Sequence, residues 1–175
     1  MPIDFRTHIF LLFLPLIIAN VLHMVIVKKD GLSTWAIPIS VKQFGTSKTW
    51  RGFIILPLVT ALLTWLFNAI FLQDILGNLQ ALLLGFGLGF SYMVWELPNS
   101  YIKRRLGIAN GQKSKKMPLL QVFTDKADSL IGVFLFYYWV MPVTFLDVVI
   151  LFALSMAIHM SLSYLLYALK IKKSF

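Results

Sequence analysis

Apolar and polar positions alternate on a coarse scale along this chain. Five apolar stretches, at about 9–27, 53–72, 79–97, 129–141 and 145–169, are separated by connections that alternate between long and short. A helix needs roughly 20 mostly apolar residues to cross about 30 Å of hydrocarbon, and the stretches come close to that length. The second is entered just after Gly52 and carries Pro57, the third is closed by Pro98, and the fourth is short and ends at Pro142. An earlier start for the fourth, near Asp125, would bury polar residues at its head. The pattern predicts an all-α integral membrane protein of about five transmembrane helices, forming a single unit over residues 1–175. The first apolar run starts after one basic residue and has no clear small-residue cleavage site, so a permanent span is expected rather than a signal peptide.

Composition agrees. Of 175 residues, 59% are hydrophobic and 13% charged, more apolar surface than one soluble core of this size could bury. The absence of cysteine excludes disulfides and thiolate metal sites.

The net charge of +9 would suggest nucleic acid in a soluble protein, but its distribution points elsewhere. Lys28, Lys29, Lys42, Lys48 and Arg51 fall between spans one and two. Lys103, Arg104, Arg105, Lys113, Lys115, Lys116 and Lys126 fall between spans three and four, and Lys170, Lys172 and Lys173 in the tail. With five spans these segments share one side, which collects fifteen of the sixteen Lys and Arg and leaves Arg6 opposite. By the positive-inside rule the two long loops and the C-terminus are cytoplasmic and the N-terminus is outside. The expected location is the cell membrane, with any active site facing the cytoplasm and no nucleic-acid partner.

Three constellations at the inner edge could carry chemistry. Ser47 or Thr46 is a plausible cap for the second helix, which would place Lys48 and Arg51 on one face of its first turn. Cations there oppose the helix dipole unless an anion binds, so either phosphate binding or anchoring beside headgroups, with Trp50 as an interfacial belt residue, accounts for them. Glu96, at the end of the third span, is costly unless paired or bound to a cation, and the Lys103-Arg104-Arg105 run offers partners. Asp125 and Asp128 lie three apart, which suits either a pair of ligands for a hard cation such as Mg²⁺ or ordinary capping acids. Gly85-Phe86-Gly87-Leu88-Gly89 resembles a dinucleotide loop only superficially. It lies inside an apolar span, and the four-residue spacing of Gly85 and Gly89 predicts close helix packing. His8 is placed near the outer surface, and His23 and His159 within spans. No histidine pair has metal-ligand spacing. Residues 110–116 form a basic Gly- and Ser-containing segment, read either as a lid or as a solvated loop.

Along most of its length the chain resembles the CDP-archaeol synthase family, membrane cytidylyltransferases related to the CDP-diacylglycerol synthases. Leu14-Pro15 with Ala19-Asn20 resembles the family's first motif. Gly45 and Lys48-Thr49-Trp50-Arg51-Gly52 are similar to its most recognisable signature, and Ser100-Tyr101-Ile102-Lys103-Arg104-Arg105-Leu106-Gly107 to its second. Pro118, Asp125 and Asp128 resemble the third, and His159, Tyr164, Tyr167, Leu169 and Lys170 the C-terminal pattern. The chain departs at Trp95-Glu96, where the family usually has Gly-Asp, at Ser163, where Asn is expected, and along residues 32–38.

The resemblance implies CTP and an archaetidic-acid-like, unsaturated ether-lipid phosphate as substrates, with CDP-lipid and pyrophosphate as products. It implies Lys48, Arg51, Lys103 and Arg104 as catalytic phosphate-binding cations and Glu96, Asp125 and Asp128 as Mg²⁺ ligands. Thr49, Trp50, Gly52, Ser100 and Arg105 would contribute to substrate binding. The same chemistry on phosphatidate or another lipid phosphate, and a non-catalytic binding or assembly role, are the alternatives left open.

Overall fold

The computed structural model describes residues 4–73, 75–110, 112 and 118–169, with the side chains of 118–120 excluded. Segment 110–116 therefore lies largely outside the described residues, as do Asp74 and the tail lysines, Lys170 included. The architecture is a bundle of five long helices, with no strand among the described residues. The first helix is continuous over Phe5–Lys28 and comprises α1 (Phe5–His8), a π-helical stretch (Ile9–Phe13) and α2 (Leu14–Lys28). A short α3 (Val41–Phe44) lies in the first long loop. The remaining long helices are α4 (Trp50–Phe71), α5 (Asn78–Arg105), α6 (Pro118–Val140) and α7 (Phe145–Ala168).

Among the described residues, four of these helices are long and apolar enough to cross a membrane: Phe5–Lys28, α4, α5 and α7. The fifth, α6, has 23 residues but carries Asp125, Lys126 and Asp128 in its first half. Outward-facing side chains such as Leu62, Leu83, Phe86, Leu135, Trp139 and Val149 are exposed and apolar, the reverse of a soluble surface. The core runs through Leu11, Leu12, Leu56, Leu84, Leu88, Val133 and Tyr137.

Three boundaries differ from the sequence expectation. Helix α5 passes through Pro98 and continues to Arg105. Proline deprives the helix of one N–H, but buried membrane helices accommodate this when neighbouring groups satisfy the freed backbone. The turns beyond Pro98 are held by Asn99 and Lys103, which bond to α6. Helix α6 starts at Pro118, ahead of both the expected start near 129 and the alternative near Asp125, with proline suited to a first helical position. Asp125 and Asp128 therefore lie two turns inside a helix and are not capping acids. The cap of α4 is Thr49, with no side-chain cap bond, rather than Ser47 or Thr46. The residues before it are extended, with Ile39 N–H donating to the Lys48 carbonyl (2.9 Å) and Trp50 N–H to that of Ile37 (3.0 Å). Lys48 thus precedes α4 and does not share a first turn with Arg51.

The α4–α5 contact is closest where Gly85 and Gly89 meet α4. A Cβ on Gly85 would fall 2.7 Å from both Ala61 Cα and Thr60 O, and one on Gly89 2.7 Å from Pro57 Cα. The two backbones touch, as small residues allow in a membrane bundle. Gly85→Leu is expected to destabilise the protein by about 3 kcal/mol or more, at the upper end for an overpacked site, because backbone cannot yield as a side chain can. Thermal unfolding in detergent would show this as a lowered midpoint.

The short turns are pinned by side chains. Asn68 on α4 donates to the Leu76 carbonyl at 2.8 Å and accepts from Leu76 N–H at 3.1 Å, fixing the connection into α5. Thr144 and Asp147 cap α7 reciprocally. Arg6 donates to the Phe71 carbonyl at 2.6 Å, which puts the one outlying cation at this same end of the bundle. His8, expected near the outer surface, is buried and lies 2.8 Å from the Tyr137 hydroxyl.

Candidate active site

The charged residues meet at the opposite end, where α4 begins, α5 ends and α6 begins. Spacing along α5 sets one side of the site. Glu96, Asn99, Ser100 and Lys103 recur at intervals of three and four, so they share a face. From α6, Asp125 and Asp128 meet that face, again three apart. The Asn99 amide nitrogen donates to Asp125 Oδ1 and to Asp128 Oδ2, each at 2.7 Å. Lys103 Nζ bonds to the same Asp125 oxygen at 2.8 Å. Asp128 also accepts from the Ser129 backbone N–H at 2.6 Å. Two carboxylates thus converge on one point from one helix.

Lys48, from the extended segment before α4, forms an ion pair with Glu96. Sequence spacing favoured the Lys103 run as the partner. The bridge that lays the segment ahead of Thr49 alongside residues 37–39 brings Lys48 to α5 instead. Both side chains are mostly buried, at 18% and 19% exposure. The Trp95 indole occupies the space that a side chain at Gly132 of α6 would need, so the unusual Trp95 is matched by a glycine opposite.

The other expected residues are placed as follows. Arg51 is buried, donates from Nη1 to the Gly31 carbonyl at 2.9 Å and lies 3.5 Å from Asp30, so it ties down the loop after α2. Ser100 is buried, and its Oγ donates to the Glu96 carbonyl at 2.9 Å. Gly52 packs against His23 and Met93, where a Cβ would lie 2.8 Å from Met93 Cε. Trp50 is half exposed and lies edge-on to Phe53. Arg105 turns away from the carboxylates, its Nε bonded to the Tyr101 hydroxyl at 2.9 Å and its guanidinium 5.1 Å from that ring. Thr49 contributes as the α4 cap. The structure therefore brings together Lys48 with Glu96, and Lys103 with Asp125 and Asp128. It sets Trp50 and Arg105 apart from them.

Two features bear on ligand capacity. Arg51 Nε and Arg104 Nε are buried without a hydrogen-bond partner among the described residues, so each retains a donor for an anion. Among the described residues, no group of three His, Cys, Asp or Glu is drawn close enough to hold a metal ion by itself. The paired carboxylates still fit Mg²⁺, which commonly takes one or two carboxylates and completes its shell with water and substrate phosphate.

Sequence reasoning missed two residues here. Asn99 joins the two aspartates, and its signal was its place one turn after Glu96 and one before Lys103. Lys126 is buried between α6 and α7, where its Nζ lies 2.6 Å from Ser163 Oγ. Counted with the loop cations, it proves to belong to a helix. The first and second long loops also touch: Asn110 donates to Thr46 Oγ1 at 2.7 Å and packs over Gly45, whose φ of +81° and lack of a side chain admit it.

The family model described as "CarS-like: CDP-archaeol synthase" matches residues 3–175. The CDP-archaeol synthase of Staphylothermus marinus is 29% identical over 133 residues, which covers 74% of this chain and 69% of the relative. No solved structure gives a significant match. With a membrane-type helical bundle and a match along nearly the whole chain, this protein belongs to the CDP-archaeol synthase family and is a CTP-using nucleotidyltransferase.

Proposed function

We propose that the protein converts an archaetidic-acid-like, unsaturated ether-lipid phosphate and CTP into CDP-lipid and pyrophosphate at the charged end of the bundle. The observation that carries this reading is the convergence of Asp125 and Asp128 on Asn99, flanked by Lys103 and by the Lys48–Glu96 pair. In the reaction an oxygen of the lipid phosphate attacks the α-phosphorus of CTP. The bond from that phosphorus to the bridging oxygen of the β-phosphate breaks, and pyrophosphate leaves with the electron pair. The attacking phosphate already carries negative charge, so no dedicated general base is required.

The chain's own part is positioning and charge. Lys48 and Lys103 exchange their carboxylate partners for phosphate oxygens as substrate enters. Arg51 and Arg104 offer their unused Nε donors to the same anions. Preorganised donors of this kind stabilise charge that develops in the transition state. Ser100 lies on the same face as Glu96 and Lys103, and Thr49 and Gly52 shape the start of α4 beside Lys48 and Arg51. Asp125 and Asp128 would hold Mg²⁺, which when bound neutralises triphosphate charge, with Glu96 on the facing side of α5. The charged end faces the cytoplasm in this reading, since the loop cations gather there and Arg6 lies at the other end.

The test is turnover by purified protein in detergent with CTP, Mg²⁺ and either an archaetidic-acid-type ether lipid or phosphatidate. CDP-lipid is expected with both CTP and lipid phosphate present, is lost with EDTA, and forms preferentially from the ether lipid in direct competition. Preference for phosphatidate would reassign the lipid. No product from folded protein with either lipid would overturn the reading.

A further inference from the structure

A crevice runs into the bundle between α2 and α7. Among the described residues α7 packs closely on α6 alone, so the first and last long helices are left apart. The crevice has apolar walls, including Leu16 from α2 and Ile158 and Leu162 from α7. Its cavity of about 40 Å³ gives room for a short segment of chain or about three waters. One part of the lining is polar, formed by Asn20, Tyr92 and His159.

The His159 ring lies nearly parallel to that of Tyr92, with centroids 6.2 Å apart, and so backs the phenol. Asn20 Nδ2 donates to the Tyr92 hydroxyl at 3.5 Å, the outer limit of a hydrogen bond, so Asn20 is not firmly committed to it. Tyr92 precedes Glu96 by four residues on α5, one turn or about 6 Å along the helix. Leu130, which also lines the crevice, follows Asp128 by two residues on α6. Ser129, between them, is fully buried beside the Tyr92 hydroxyl. The polar part of the crevice therefore lies within about one helical turn of the acidic cluster on two helices.

We propose that this crevice seats the chain-bearing end of the lipid substrate, and that Tyr92 and Asn20 donate to the acceptor-only oxygen joining glycerol to its first chain. The proposal rests on the lipid-phosphate reading above and adds where, and by which groups, the lipid is held. Three features select a lipid as the occupant. The walls are apolar, the polar groups offer donors to an oxygen that can only accept, and the crevice adjoins the site expected to bind phosphate. A phosphate at the acidic cluster would place the glycerol one turn away, beside Tyr92.

The test uses a lipid phosphate carrying a photoactivatable diazirine on the first carbons of its chain, with the full-length protein in nanodiscs, and maps labelled peptides by mass spectrometry. Label is expected within residues 12–20 and 155–162, displaced by excess unlabelled lipid phosphate. Tyr92→Phe is expected to raise KM for the lipid about three- to tenfold while KM for CTP stays unchanged, as for loss of one hydrogen bond. Ile158→Phe, which narrows the crevice and removes no polar group, should likewise raise the lipid KM and should reduce labelling. Labelling on other faces, or undisplaced labelling, would overturn the proposal, as would an unchanged lipid KM in both variants. Displaceable label in the crevice from protein that turns over no CTP would uphold this site while overturning the reaction.

Discussion

Asp128→Asn is expected to reduce CTP-dependent turnover at least ~100-fold, the loss typical when a group that stabilises transition-state charge is removed. The substitution is nearly isosteric. One oxygen remains to accept from Asn99, only the Ser129 N–H loses its acceptor, and the shape of the α5–α6 contact is preserved. Folding is expected to change little, since the variant removes one of two carboxylates facing each other across a single amide nitrogen. A collapse of rate with an unchanged melting midpoint would identify a charge needed for the reaction. Asp125→Asn is less clean, because it also releases Lys103. Full Mg²⁺-dependent turnover by Asp128→Asn would remove Asp128 from the proposed metal-holding set.

The second large effect concerns Lys48 and Glu96. One-sided removal of a mostly buried ion pair strands a charge in a medium that solvates it poorly. Lys48→Met is therefore expected to cost about 3 kcal/mol, at the low end for buried pairs because both side chains keep some solvent contact. The double variant Lys48→Met with Glu96→Gln removes both charges, and should recover most of that stability. Turnover should not recover, since in the proposed mechanism Lys48 grips phosphate. Thermal unfolding and turnover measured on the two single variants and the double variant separate these roles. If turnover rises and falls with stability across the set, the pair is only a clasp between α5 and the segment before α4.

Much of this was legible in the sequence for an identifiable reason. Spans are long apolar runs, and Gly85 and Gly89 announce a close contact by spacing alone. What stayed hidden depended on tertiary partners. Pro98 reads as a stop until Asn99 and Lys103 are seen bonded to α6, which holds the helix together beyond it. Asp125, Lys126 and Asp128 read as a loop edge because charges are costly in a span. They lie inside α6 because each is paired, two toward α5 and one toward α7. The residue types of the site were visible, but their pairing was not. Lys48 reaches Glu96 through an extended segment that local helix rules do not foresee. Trp95 looks like a disruption until Gly132 is found beneath its ring.

In the proposed reaction a lipid phosphate attacks the α-phosphorus of CTP. The most direct test follows the fate of label in protein reconstituted with Mg²⁺ and the preferred lipid phosphate, with CTP labelled on either its α- or its γ-phosphate. The account predicts that α-label enters the organic-extractable lipid in equal amount to the γ-label released as pyrophosphate. Transfer of γ-label to lipid, or α-label that remains wholly in water-soluble nucleotide while the lipid phosphate is consumed, would contradict it.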